Sequence, residues 1–207
     1  MLAISEGQYV SFAHRILWES AQRHMRIAKV SPQDSWMLHV SAGLLSAAAF
    51  EAYLNYLGQE ILPQVWNKEK TFFKKRPYKG LLGKLKRISE EVGYSLPNKD
   101  CKPLSGVIEI QHLRNKIVHA SPKKAHFNIK HKEGSYPKLP SMWLYEQSNQ
   151  KQIISMIKDV EAFSVLLHTF IKASEFKFVI FGEHPYVGLL SSGSFMTSTA
   201  LEVGFAN

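Results

Sequence analysis

Apolar positions recur along most of the chain at the spacing of a helical face, and clusters of Pro, Gly and Ser cut them into five stretches. Over residues 5 to 29 aliphatic and aromatic positions recur at helical spacing, Ile4, Phe12, Ile16, Met25 and Ile27 among them, while Arg15, Glu19 and Arg23 alternate in sign outside. This predicts a long first helix, broken by Ser31-Pro32. Asp34 or Ser35 can cap a second helix that runs to about Glu60, ahead of Pro63. A basic connector leads to a third helix, "YKGLLGKLKRISEEVG", closed by Gly93, and "SLPNKDCKP" separates it from a fourth that begins near Leu104 and ends by Ser121-Pro122. The fifth, "QKQIISMIKDVEAFSVLLHTFIKA", is strongly periodic. Between the last two, residues 121 to 149 are rich in Lys, Pro, Gly and Ser, with short runs such as "MWLYE" that can pair as a hairpin. The tail after "KFVIF" has no predicted element, and a strand there can dock on the excursion or on another subunit. The expected architecture is one all-α domain, an up-and-down bundle of four to five helices with a loop or hairpin excursion before the last.

Composition changes this picture in two places. The most apolar run, Trp36 to Gly58, has the length of a membrane span, but His39, Glu51 and Asn55 interrupt it and small residues fill it, so a buried core helix and no membrane contact are expected. The formal charge is +9, from 26 Lys and Arg against 17 Asp and Glu, and the excess is concentrated. From Asn67 to Arg87 only Glu69 opposes a run of cations, and a second basic patch, "SPKKAHFNIKHK", follows the fourth helix. Such fields attract phosphate polymers or anionic surfaces; a basic run is equally a solvated helix face. Cys101 is alone, which excludes an internal disulfide and a cysteine zinc site, and fits a reducing compartment. The start, "MLAISEGQYV", lacks a secretory pattern, so a cytoplasmic protein is expected.

The candidate chemistry lies in "HLRNKIVHASP", residues 112 to 122. On a helical wheel Leu104, Val107, Ile110 and Val118 share an apolar arc, and Arg114 falls inside it. A guanidinium there needs an anion, because leaving it unpaired costs several kcal/mol. The structural solution is Glu51, the acid set in the centre of the most apolar helix; the functional one is a bound phosphate. His112, Asn115 and His119 fall together on another side, where Asn115 can orient the His119 ring and so choose its tautomer. Arg114 and His119 diverge by about 140° on an ideal helix and converge on one ligand only if the helix ends near His119. His119 can also be a plain helix-end histidine favoured by the dipole, and His112 a solvated one. His126 and His131 have no carboxylate or cysteine with them, so no metal site and no cofactor are expected. No glycine-rich phosphate loop, His-Glu-x-x-His or Gly-x-Ser-x-Gly is present, against the common nucleotide-binding and hydrolase classes.

"RNKIVHA" resembles the motif of the HEPN domains, small helical bundles in which an arginine, usually followed by a polar residue, precedes a histidine by a short spacer. Here the spacer between Arg114 and His119 is four residues; Glu109 matches a glutamate found ahead of the motif in many HEPN toxins, and Leu113 stands where those carry a basic residue. "SAAAFEAYLNYLGQE" is similar to a helix frequent in these domains, and the resemblance spans about residues 5 to 173. It implies a metal-independent endoribonuclease that cleaves RNA by 2′-hydroxyl attack to a 2′,3′-cyclic phosphate, used as a toxin or phage-defence effector. Arg114 and His119 would be catalytic with Asn115 orienting; Glu51, Glu109 and His112 would support them. Lys74, Lys75, Arg76, Lys84, Arg87, Lys116, Lys123 and Lys124 would hold the RNA backbone. A homodimer that pairs two motifs, and an antitoxin protein, are the partners it implies besides RNA. The competing expectation is a non-catalytic dimeric RNA-binding or scaffold module of the same fold, with Arg114 serving structure through Glu51.

Overall fold

A computed structural model of the chain describes residues 3–31, 33, 35–120, 130, 149–179 and 182–199. The core of the bundle is helical: α1 Ala13–Val30, α2 Ser35–Ile61, the short α3 Pro63–Trp66 and α4 Glu69–Phe72, α5 Gly80–Val92, α6 Leu104–Val118 and α7 Gln150–Ala173, followed by a single tight turn at Lys177–Val179. The all-α expectation holds, and four of the five predicted helices both begin and end within a few residues of the expected positions. Gly93 closes α5 in the left-handed region at φ 72°, as its place after Val92 foretells. The Asn149 side chain caps α7 by accepting from the Lys151 backbone N–H at 2.9 Å. The hairpin expected within 121–149 lies outside the described residues, apart from positions 130 and 149.

The first helix is shorter than its periodicity suggests. Residues 5 to 11 belong instead to β1, Ala3–Ser11, which pairs antiparallel with β2, Ser191–Thr199, from Ala3 opposite Thr199 to Ser11 opposite Ser191. The Phe12 backbone N–H continues the seam to the Leu190 carbonyl at 2.9 Å. Local pattern could not reveal this, because the partner strand lies some 180 positions away and β preference depends on its cross-strand neighbours. The same pairing places the tail, against this chain's own start.

α2 is the central helix, and α1, α5, α6 and α7 all pack on it. It is long and apolar enough to cross a membrane by length and composition, yet Phe50, Tyr53, Leu54 and Leu57 are fully buried inside the bundle. Its small residues set how close the neighbours come. A Cβ on Gly43 would stand 3.1 Å from the Ile153 side chain, and one on Gly58 would fall 2.0 Å from the Trp66 ring. Trp66 therefore seats on α2 where only hydrogen can sit, and its Nε1–H donates to Asn55 Oδ1 at 3.3 Å. This anchor fixes the basic connector between α2 and α5.

Candidate nucleic-acid and catalytic site

On α6, Leu104, Val107, Ile110 and Leu113 are buried, and Gln111 is buried with its amide donating to the Ala47 carbonyl at 2.9 Å. The apolar arc then stops: Val118, predicted to share it, is 55% exposed. Arg114 stands half-buried at the arc's edge and donates from Nη1 to Asn115 Oδ1 at 3.0 Å. That bond corrects the expected Asn115–His119 contact, since the Asn115 oxygen is engaged by the guanidinium instead. His119 is exposed and leaves helical geometry at φ −106°, ψ 21°, with its backbone N–H still bonded to the Asn115 carbonyl at 3.1 Å. The helix thus ends at the position that convergence of Arg114 and His119 requires. The C-terminal end of α6 puts the negative pole of the helix near both residues, a setting that favours cations.

Next to this end lies a groove of about 190 Å³ between the start of α5 and the outer face of α6, lined by Lys79, Leu81, Leu82, Ile108, Gln111, His112 and Asn115. Lys79 immediately precedes α5, so a cation and a helix N-terminus meet in the groove wall and favour an anion there. Glu109 is exposed and accepts from the Gln152 side chain at 3.5 Å, toward α7.

Glu51 does not meet Arg114. It belongs to an ion cluster built on Lys84, whose ammonium donates to Glu69 Oε1 at 2.5 Å, Asn55 Oδ1 at 2.9 Å and Glu51 Oε1 at 3.3 Å. Lys84 is 5% exposed, which removes it from the residues that can touch RNA. The ammonium is buried because the α2 residues Glu51 and Asn55, with Glu69 at the start of α4, supply three acceptors for its three donors. Arg87 is engaged with Glu91 at 2.8 Å along the same helix. Lys74, Lys75, Arg76 and Lys116 are exposed, as an RNA surface needs. Lys75 and Arg76 line a second groove of about 440 Å³, together with Lys68, Thr71, Phe72, Pro77 and Tyr78. Lys123, Lys124, His126 and His131 lie outside the described residues.

A cluster that the sequence did not announce sits at the opposite side of α2. Arg15, expected outside α1, is 4% exposed; its Nη1 donates to the Leu189 carbonyl at 2.8 Å and the guanidinium lies 4.9 Å from the Phe12 ring centroid. Gly188, at φ 127°, leaves room for it, for a Cβ there would stand 3.0 Å from Nη1. Beside Arg15, His14 packs among Tyr53, Tyr56 and Tyr186. The Tyr53 hydroxyl meets His168 Nδ1 at 3.0 Å, and His168 Nε2 faces the Gly182 carbonyl at 3.3 Å, an arrangement that suits a neutral ring with its proton on Nε2. The Tyr186 hydroxyl meets Ser164 Oγ at 2.7 Å, and its ring stacks on Trp18. Three histidines at 14, 168 and 184 share no sequence spacing, so no local signal could have grouped them. Among the described residues no three His, Cys, Asp or Glu side chains converge as metal ligands do, and this cluster clamps the segment leading into β2.

Its electrostatics give a pH dependence. Burial, then the charge of Arg15 and then that of His168, lower the His14 pKa to about 4, against a smaller opposing hydrogen bond with the Pro185 backbone. Burial lowers His168 in the same direction. In the unfolded chain an imidazole titrates near 6.5, so between about pH 6.5 and 4 the unfolded state binds protons that the folded state refuses. Stability therefore falls on acidification through that window, by at most about 3 kcal/mol from His14, and this group adds no further loss below it. Urea unfolding at pH 7 and at pH 4.5 should show the drop, and His14→Gln should flatten it.

The fold and these sites define an all-α bundle with a basic, solvent-reachable end on α6. No protein family, curated protein or solved structure matches the chain.

Proposed function

We propose that the protein is a metal-independent endoribonuclease of the HEPN type, with Arg114 and His119 as its catalytic pair. The observation that carries this reading is the state of Arg114: half-exposed at the mouth of a helix end, bonded among the described residues to Asn115 and to no carboxylate. The acid that would have explained it structurally, Glu51, is held by Lys84. A half-exposed arginine fork and an exposed imidazole five residues on, where the helix ends, suit a phosphodiester.

In the proposed reaction a base takes the proton of the RNA 2′-hydroxyl, the 2′-oxygen bonds to the adjacent phosphorus, and the phosphorus–5′-oxygen bond breaks. An acid returns a proton to the departing 5′-oxygen, leaving a 2′,3′-cyclic phosphate and a 5′-hydroxyl. An imidazole can serve as either the base or the acid in such a transfer. The guanidinium stabilises the phosphorane oxygens without ever losing its charge. Asn115, bonded to Arg114, holds the fork rather than the imidazole. Each chain supplies one such pair, so a two-fold dimer that joins two α6 ends would furnish base and acid together. Lys74, Lys75, Arg76 and Lys116 remain the phosphate-holding set, and DNA, lacking the nucleophile, would be refused. A cytoplasmic toxin or phage-defence role, with an antitoxin as partner, is the biological setting this reading entails.

Incubating mixed RNAs with the protein in excess EDTA tests it. Fragments ending in cyclic phosphate are expected. Intact RNA, with binding retained, would favour the scaffold reading instead.

A further inference from the structure

The larger groove, formed within the connector that precedes α5, is organised for more than phosphate. Its apolar wall is a pair of rings, Phe72 and Tyr78, stacked at 5.5 Å with planes 18° apart. Lys68, Lys75 and Arg76 surround them, and all three are exposed. Phe73, next along the chain, points into the core, while Phe72 and Tyr78 stay half-buried at its edge. The platform is fixed before any ligand arrives. The Tyr78 hydroxyl donates to Glu90 Oε2 at 2.7 Å, and the Gly80 backbone N–H closes the loop onto the Phe73 carbonyl at 2.9 Å. The first turn of α5 presses on the Tyr78 backbone so closely that a Cβ on Gly83 would stand 1.9 Å from its carbonyl group.

We propose that this groove is a stacking subsite for an unpaired nucleotide, with the base against the Phe72–Tyr78 pair and its flanking phosphates on Lys75, Arg76 and Lys68. Two features select this occupant. A volume of about 440 Å³ falls within the range of sites that enclose small ligands, roughly 300–1,000 Å³. Stacked rings rimmed by cations are the chemistry by which single strands are held without sequence preference, whereas a duplex hides its base faces and offers only phosphates. Lys86 Nζ lies 5.6 Å from the Tyr78 centroid and already covers part of that ring, which leaves Phe72 the principal platform. The groove also adjoins the α6 end: Tyr78 lines one and the next residue, Lys79, lines the other. A strand anchored at Phe72 is thereby led along the connector toward Asn115. The proposal rests on the ribonuclease reading for naming RNA rather than DNA as the strand, and it makes the substrate single-stranded.

The test measures binding, not cleavage, with a fluorescent 2′-O-methyl RNA single strand of about 12 nucleotides, which cannot be cut, and its duplex. The wild type should prefer the single strand. Phe72→Leu, which keeps apolar bulk but removes the ring, should weaken single-strand binding by about tenfold, and Phe72→Tyr should not. Arg76→Ala should flatten the salt dependence for both ligands. A folded Phe72→Leu protein with wild-type affinity, or a wild type that prefers the duplex, would overturn the proposal. Should Phe72→Leu fail to fold, photocrosslinking of a 5-iodouridine strand to the wild type decides: the modified peptide should contain Phe72 or Tyr78, and crosslinks confined elsewhere refute the site. Cleavage of RNA with no role for Phe72 would sink this subsite and leave the nuclease standing; Phe72-dependent binding without cleavage would do the reverse.

Discussion

On the proposed ribonuclease reading, His119→Ala should lower RNA cleavage by about 10²–10⁴-fold, the range for losing a positioned acid or base, while the thermal melt should stay within a degree or two of wild type. The second half follows from where the residue sits: it caps α6 through its backbone, its imidazole faces solvent, and alanine can make the same backbone bond to the Asn115 carbonyl. A surface substitution of this kind typically changes stability by no more than about 0.5 kcal/mol. Arg114→Lys should also lose most activity, because an ammonium keeps the charge without the planar fork that grips two phosphorane oxygens. Should His119→Ala cleave at the wild-type rate under chelation, the nuclease assignment of α6 fails outright.

The largest stability effect falls elsewhere. Lys84→Met reduces unfolding free energy by roughly 3 kcal/mol, the low end of the cost of breaking a buried ion pair, since Glu51 and Glu69 keep about a third of their side-chain surface in water. For a chain of 207 residues that corresponds to a drop in Tm of about 6–12 °C. Methionine fills the same channel but leaves both carboxylates facing each other without a cation. Adding Glu69→Gln to Lys84→Met should recover part of the loss, because one stranded charge is gone. RNA affinity of the folded variant should be unchanged, which separates Lys84 from the exposed lysines of the same run.

How far the chain could be read from its letters depended on whether each feature was local. The ends of α5 and α6 were legible because Gly93 and Ser121-Pro122 are punctuation within a turn of the helix they close, and α7 was legible from the strong periodicity of its own residues. The buried identity of α2 was legible for the same reason, through its run of small and aromatic residues. Charged residues were not. Lys84 stands among cations and reads as surface, yet its acceptors come from 15 to 33 positions away. Arg15 reads as the outer face of α1, yet it is covered by a segment 174 positions later. A wheel reports which residues share a face, not which distant segment will cover it. For α6, the arc put Arg114 inside the apolar face, whereas it stands half-buried at the edge, and it extended one turn too far, to Val118, which is exposed.

The seam between β1 and β2 has a temporal side. During synthesis Ser11 leaves the ribosome long before Ser191 exists, and at about 5–20 residues per second the first strand waits on the order of ten seconds or more for its mate. Throughout that interval the helices up to α6 can assemble, while an unzipped strand edge is open to foreign partners. A nascent chain is thus open to mispairing along β1 until β2 has been made.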